Sequence, residues 1–181
     1  MNLEKAIEHL KNGEVIGFPT ETLYGLAADA FNEDAVSKIF ELKERPPEKS
    51  LIVLISSKEQ LTDLVQEIPK EAETLMEKHW PGPLTIVFKK KKGVPDIVAK
   101  DTIAVRMERH TVARELIENV GPLVAPSANK DGQQPPETAA YVRENFPELY
   151  VVDGGDTLGI ASTIISVVDG LKILREGAIR I

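Results

Sequence analysis

Apolar positions along this chain switch repeatedly between helical and extended spacing. Leu3, Ala6, Ile7 and Leu10 recur at intervals of three and four, one face of a helix that Asn12-Gly13 closes. Glu14 to Phe18 then reads as a short buried strand. Asn32 is placed to cap a helix whose buried side carries Ala35, Val36, Ile39, Phe40 and Leu42. Leu51 to Ile55 is an unbroken apolar run, the pattern of a central strand. Ser56 or Ser57 caps a short helix, and Pro69 opens another that runs to about His79.

The second half repeats the alternation. Leu84 to Phe88 and Ile103 to Met107 are strands, and Thr111 to Asn119 is a helix stopped by Gly121-Pro122. Leu123 to Ala125 is a short strand, Glu137 to Asn145 a helix, and Leu149 to Val152 a strand. Thr163 to Val168 and Leu171 to Leu174 are paired across Asp169-Gly170, a hairpin turn. The class is therefore α/β: a mixed sheet with flanking helices, antiparallel toward the C-terminus.

With 181 residues, no linker and no repeat, residues 1–181 are expected to form a single domain. There is no cysteine, which excludes disulfides, thiolate metal sites and a cysteine nucleophile. His9, His79 and His110 are scattered, so no dedicated metal cage is expected. No Ser-His-Asp arrangement is recognisable. The first residues carry no apolar signal core, and no run approaches the roughly 18 apolar residues of a membrane span. A cytoplasmic protein with no membrane partner is the expectation. The formal charge of −7 argues against a broad nucleic-acid surface while leaving room for a local basic pocket.

The candidate chemistry lies in polar loops that follow strands. Phe18-Pro19-Thr20-Glu21-Thr22-Leu23-Tyr24-Gly25-Leu26-Ala27 offers hydroxyls and a carboxylate to a small polar ligand, or is a turn. Lys43-Glu44-Arg45-Pro46-Pro47-Glu48-Lys49 places three cations at a helix end. They either complement the helix dipole or clamp a polyphosphate. It is not a Walker loop. Trp80-Pro81-Gly82-Pro83 reads as scaffold. Ser127 and Asn129 suit phosphate or ribose, or form a turn. Ser162 and Arg175 fall toward the same end of the last hairpin, where both can enter one cleft.

In order along the chain, eight segments resemble the YrdC/TsaC family of threonylcarbamoyl-AMP synthases. They are Pro-Thr-Glu-Thr-Leu-Tyr-Gly-Leu-Ala, Lys-x-Arg-Pro, Trp-Pro-Gly-Pro-Leu-Thr, Val-Arg, Ala-Pro-Ser-Ala-Asn, Asp-Gly-Gly, Ser-Thr-Ile and Leu-Arg-x-Gly. No one segment is specific; their order, from Val15 to Ile179, is. The chain resembles the short, single-domain form.

The resemblance implies a twisted sheet with a basic concave cavity. It also implies a nucleotidyltransferase that makes threonylcarbamoyl-AMP and pyrophosphate from ATP, L-threonine and bicarbonate or CO2, with Mg2+ accompanying ATP. A transferase system then passes the threonylcarbamoyl group to tRNA as t6A37, with weak direct RNA contact also expected. Lys43 and Arg45 match the catalytic, phosphate-facing motif. Lys49, Thr102, Ser127, Asn129 and Arg175 are placed on ATP, and Thr20, Thr22, Arg106 and Ser162 on threonine. Departures from the family pattern fall at Ser50, Leu54, Glu108, Asp131 and Ser166; at Glu108 the family often has proline. The competing reading is an RNA-binding or ribosome-maturation factor that uses the same basic cavity.

Overall fold

The computed structural model describes residues 2–46, 51–130 and 133–181. In chain order the elements are α1 (Leu3–Lys11), β1 (Ile16–Pro19), β2 (Tyr24–Asp29), α2 (Glu33–Lys43), β3 (Ile52–Ile55), α3 (Lys58–Leu64) and α4 (Lys70–His79). Then come β4 (Leu84–Lys89), β5 (Thr102–Met107), α5 (Thr111–Val120), β6 (Leu123–Val124), α6 (Ala139–Asn145), β7 (Tyr150–Val151), β8 (Thr163–Ser166) and β9 (Lys172–Arg175). Asn32 caps α2 as its position predicts, accepting from the Ala35 N–H at 3.0 Å. Asn2 caps α1 in the same way, accepting from the Lys5 N–H, whereas Ser57 precedes α3 without a side-chain cap bond. Gly121 ends α5 at φ 114°, a value that favours glycine.

The strands form one mixed sheet in the order β7-β1-β2-β6-β3-β5-β4-β8-β9. β3 runs parallel to β5, β4 parallel to β8, and β1 parallel to β7; the remaining neighbours are antiparallel. Both faces bury apolar side chains, and the period of two decides which. On one face Leu26, Ala28, Val53, Ile55, Ile103 and Val105 join residues of α2, α3, α4 and α6 in the larger core. On the other, Phe18, Ala27, Leu54 and Leu123 pack beneath Ala6 and Leu10 of α1 and Leu116 and Ile117 of α5. That second layer covers only the β7, β1, β2, β6 and β3 part of the sheet.

The difference between the two faces produces the site. In β5 the sequence Thr-Ile-Ala-Val-Arg-Met sends Ile103, Val105 and Met107 into the larger core. The alternate positions Thr102, Ala104 and Arg106 face an open cavity instead. Sequence reading treats Phe18 to Ala27 as one ligand loop. The structure narrows the loop to residues 20–23 and makes Tyr24–Asp29 a strand. No helix among the described residues is long and apolar enough to cross a membrane.

Candidate active site

A cavity of about 560 Å³ occupies this uncovered sheet face. Its floor comes from Ile52 of β3, Val87 of β4, and Thr102, Ala104 and Arg106 of β5. Loop residues Thr20 and Thr22 close one side, and Ala125, Pro126 and Ser127 another. Ser162, Ile164, Leu174 and Arg175 bring in the last hairpin, and Arg45 enters from the end of α2. The charged groups among the described lining residues are Arg45, Arg106 and Arg175. A protein of net charge −7 thus presents a locally basic concavity.

The Thr20–Thr22 side is rigidly built. Thr20 Oγ1 donates to the Leu23 carbonyl at 2.6 Å and accepts from the Thr22 and Leu23 N–H groups at 3.2 Å. Its hydroxyl lies 3.1 Å from that of Thr22. Arg106 Nη1 donates to Thr22 Oγ1 at 2.8 Å, and its Nη2 to Glu108 Oε2 at 2.5 Å. Thr20, Thr22 and Arg106 are all buried yet line the cavity. The Arg106 Nε is also buried and has no hydrogen-bond partner within the protein. Such a donor on a cavity wall is a place for an anionic ligand atom.

Glu21, from the same loop, is not among the cavity-lining residues. Its carboxylate faces Arg109, 3.3 Å away, and neither of its oxygens accepts a hydrogen bond. Burial, and next the charge of Glu108, push its pKa up to about 7 against the pull of Arg106 and Arg109.

The candidate phosphate side separates into lining and supporting groups. Arg45 reaches the cavity; Lys43 is fully buried behind it. The left-handed Glu44, at φ 51°, ends α2 and turns the chain between the two. Lys43 Nζ donates to the carbonyls of Ser127, at 2.6 Å, and Asn129. It therefore holds the Ser-Ala-Asn loop from below. Asn129 supports the same loop by accepting from the Ser127 hydroxyl at 2.6 Å, and only Ser127 of the two lines the cavity. The loop is docked on β2, whose Leu26 N–H donates to Pro126 and whose Tyr24 carbonyl accepts from Ala128, both at 2.9 Å. Lys49, Ser50 and Asp131 lie outside the described residues.

The last hairpin brings Ser162 and Arg175 together, as their positions about Asp169-Gly170 predict. Arg175 donates to the Ser162 carbonyl from Nε at 3.0 Å and Nη2 at 2.8 Å, and to its hydroxyl at 3.2 Å. Although Arg175 as a whole is exposed, partial burial of its guanidinium against Ser162, and then the like charge of Arg106, lower its pKa from the usual value. Repulsion between two neighbouring guanidinium groups is relieved by an anion bound between them.

Three supporting residues escaped the sequence reading. Thr85, read only as part of a structural turn motif, is fully buried with its hydroxyl 2.8 Å from that of Ser162. Tyr24, considered as a ligand contact, commits its hydroxyl to the Gly155 carbonyl at 2.8 Å and accepts from Gly154 at 3.2 Å. Glu108, noticed only as a departure, is a wholly buried acceptor beside Arg106. The available signal was a charge in the turn between a strand and a helix.

The Sua5/YciO/YrdC family model, described as telomere recombination, matches residues 8–177. The threonylcarbamoyl-AMP synthase of Pyrococcus abyssi is 45% identical over 94% of this chain and 52% of its own. That of Idiomarina loihiensis is 42% identical over 97% of both. Among solved structures, P. abyssi Sua5 complexed with L-threonine superposes with a TM-score of 0.93 at 43% identity, covering 97% of this chain and 54% of that one. E. coli YciO, at 23% identity and a TM-score of 0.87 over 97% and 88% of the two chains, shares the fold. The chain spans about half the length of the Pyrococcus and Bacillus subtilis relatives it matches.

Proposed function

We propose that this chain, which belongs to the Sua5/YciO/YrdC family, is an L-threonylcarbamoyladenylate synthase. On this reading the uncharged amine of threonine adds to CO2 with release of a proton, or condenses with bicarbonate with loss of water, to give an N-carboxylate. An oxygen of that carboxylate attacks the α-phosphorus of ATP, and pyrophosphate leaves. The product is threonylcarbamoyl-AMP, which a transferase system passes to tRNA as t6A37. A cytoplasmic setting, where ATP and tRNA meet, belongs to the same reading.

The second step brings two anions together, so the protein's contribution is positioning and charge compensation. Thr20, Thr22 and Arg106 take the amino acid, the guanidinium meeting its carboxylate. Arg45, Ser127 and Arg175 take the nucleotide, with Lys43 and Asn129 shaping the loop that carries Ser127. Thr102, on the cavity floor, contacts nucleotide, and Ser162 stands between the two substrates. Lys49, a cation of the same sequence segment as Lys43 and Arg45, is assigned to the phosphates on its charge alone. The described lining offers hydroxyls and guanidinium groups rather than carboxylates. That donor set suits Mg2+ arriving on the phosphates of ATP rather than in a resident cage, and the ion supplies charge neutralisation there.

The observation that carries the reading is one cavity holding a buried, partly unsatisfied arginine beside paired threonine hydroxyls, with two further guanidinium groups on its other walls. The 42% identity to the Idiomarina synthase over 97% of both chains supports it. Pyrophosphate release from ATP, measured with and without threonine and bicarbonate, tests it. Release is expected only with both present. Equal release without an amino acid refutes it, and salt-sensitive RNA binding in its place favours the RNA-factor reading.

A further inference from the structure

A buried carboxylate behind the cavity has no role in the reaction described so far. Glu108 follows β5 and precedes α5, and it is fully buried. A charge in such a place persists only with a full set of partners. Glu108 has one. Oε2 accepts from Arg106 Nη2 at 2.5 Å. Oε1 accepts from three backbone N–H groups, those of Glu21, Arg109 and His110, each at 3.0 Å.

The two oxygens therefore hold different things. One fixes a guanidinium that lines the cavity. The other ties the loop carrying Thr20 and Thr22 to the start of α5, across 87 residues of sequence. Arg106 closes the loop of contacts by donating to Thr22 at 2.8 Å. With each terminal nitrogen engaged, Nε is the Arg106 nitrogen left without a protein partner.

We infer that Glu108 is the positioning residue for amino-acid recognition, clamping Arg106 and the Thr20–Thr22 loop into one preorganised donor set for the substrate carboxylate. The inference rests on the reading of this cavity as an amino-acid site. Glu108 itself lies outside the cavity lining and acts through Arg106 and the loop. A guanidinium already held in place loses less freedom when its ligand arrives, so the clamp acts on substrate affinity rather than on the chemical step.

Glu108→Gln separates the two halves of the clamp. The amide oxygen still accepts from the three N–H groups, while its NH2 group faces Arg106 Nη2, donor against donor. The expected result is a rise of about ten- to a hundredfold in the KM for threonine, the range for losing one charge-assisted contact. The KM for ATP should stay within about twofold. Calorimetric threonine binding should weaken in parallel. Should the amide fail to fold, Glu108→Asp keeps the charge on a shorter arm and is expected to show the same threonine-selective rise. An unchanged threonine KM in the variant that folds overturns the inference. So does an equal rise in both KM values with early melting, which assigns Glu108 to the scaffold alone. Wild-type protein with no threonine-dependent pyrophosphate release overturns the amino-acid reading itself and the inference with it. Wild-type activity beside an indifferent Glu108→Gln overturns the inference only.

Discussion

Lys43 and Arg45 are two residues apart, and the single left-handed residue between them gives them different work. Arg45 lines the cavity, so Arg45→Ala should cut activity by about tenfold to a thousandfold with little change in melting temperature. Lys43 is buried with its ammonium on two carbonyls. Lys43→Met keeps the apolar stem and removes the donors. It should cost about 3 kcal/mol, lowering the melting temperature by roughly 6–12 °C, and reduce activity as the Ser127 loop relaxes. Calorimetric melting beside the pyrophosphate assay separates the two behaviours; identical profiles would contradict the division. Glu21 makes a different prediction. Its pKa rises from 4.5 to about 7 in the folded state, so between these values the native protein binds the extra proton. This contribution is present in full below pH 4.5 and disappears as pH climbs through 7. Glu21→Gln should therefore gain stability relative to wild type as pH rises through that window, visible as diverging urea midpoints. Parallel curves from pH 4.5 to 8 would show that Glu21 titrates normally.

Among the elements, the helices and most strands were legible because burial imposes a clear period. The chief exception is β2. Its Tyr-Gly-Leu-Ala-Ala-Asp is low in strand-favouring residues, and its interior is buried on both faces, so no alternation remains. Ser162 and Arg175 could be paired from the hairpin turn alone, a local constraint. The tie from Glu108 to Glu21, that from Thr85 to Ser162 and those of the Tyr24 hydroxyl could not, since these partners lie 87, 77 and about 130 residues away. Lys43 was legible as a cation near phosphate chemistry but not as a buried one. The segment after β9 carries its own constraint. A Cβ on Gly177 would strike the carbonyls of Ala161 and Ser162, and the Gly177 N–H donates to Thr163 Oγ1 at 3.1 Å. Gly177→Ala must displace the strand entry that holds Ser162 and Arg175. We expect activity to fall at least tenfold for a destabilisation of only about 1–3 kcal/mol. Full activity in that variant would mean that the hairpin end tolerates movement without consequence for the site.

On the scale of the whole molecule, one sheet serves two purposes because helices cover one of its faces only in part. Ligands that bind this face stabilise the native state by mass action. ATP and threonine together should therefore raise the melting temperature more than either alone, and a ligand at a hundred times its Kd contributes about 2.7 kcal/mol. No shift with either ligand would count against the cavity as their site. The strands that meet at the cavity are unequally anchored. β3 and β5 lie inside the sheet with neighbours on both sides, whereas β9 is the outermost strand, exposed at every residue and hydrogen-bonded to β8 alone. Yet β9 delivers Arg175. Opening that last strand exposes little apolar surface that is not already in water, so its free energy should lie well below that of global unfolding. Amide protons of β9 should then exchange with deuterium ahead of those in β3 and β5. Activity should fade at denaturant concentrations that leave the two cores intact, because the wall that carries Arg175 has a shallower thermodynamic footing than the fold it belongs to.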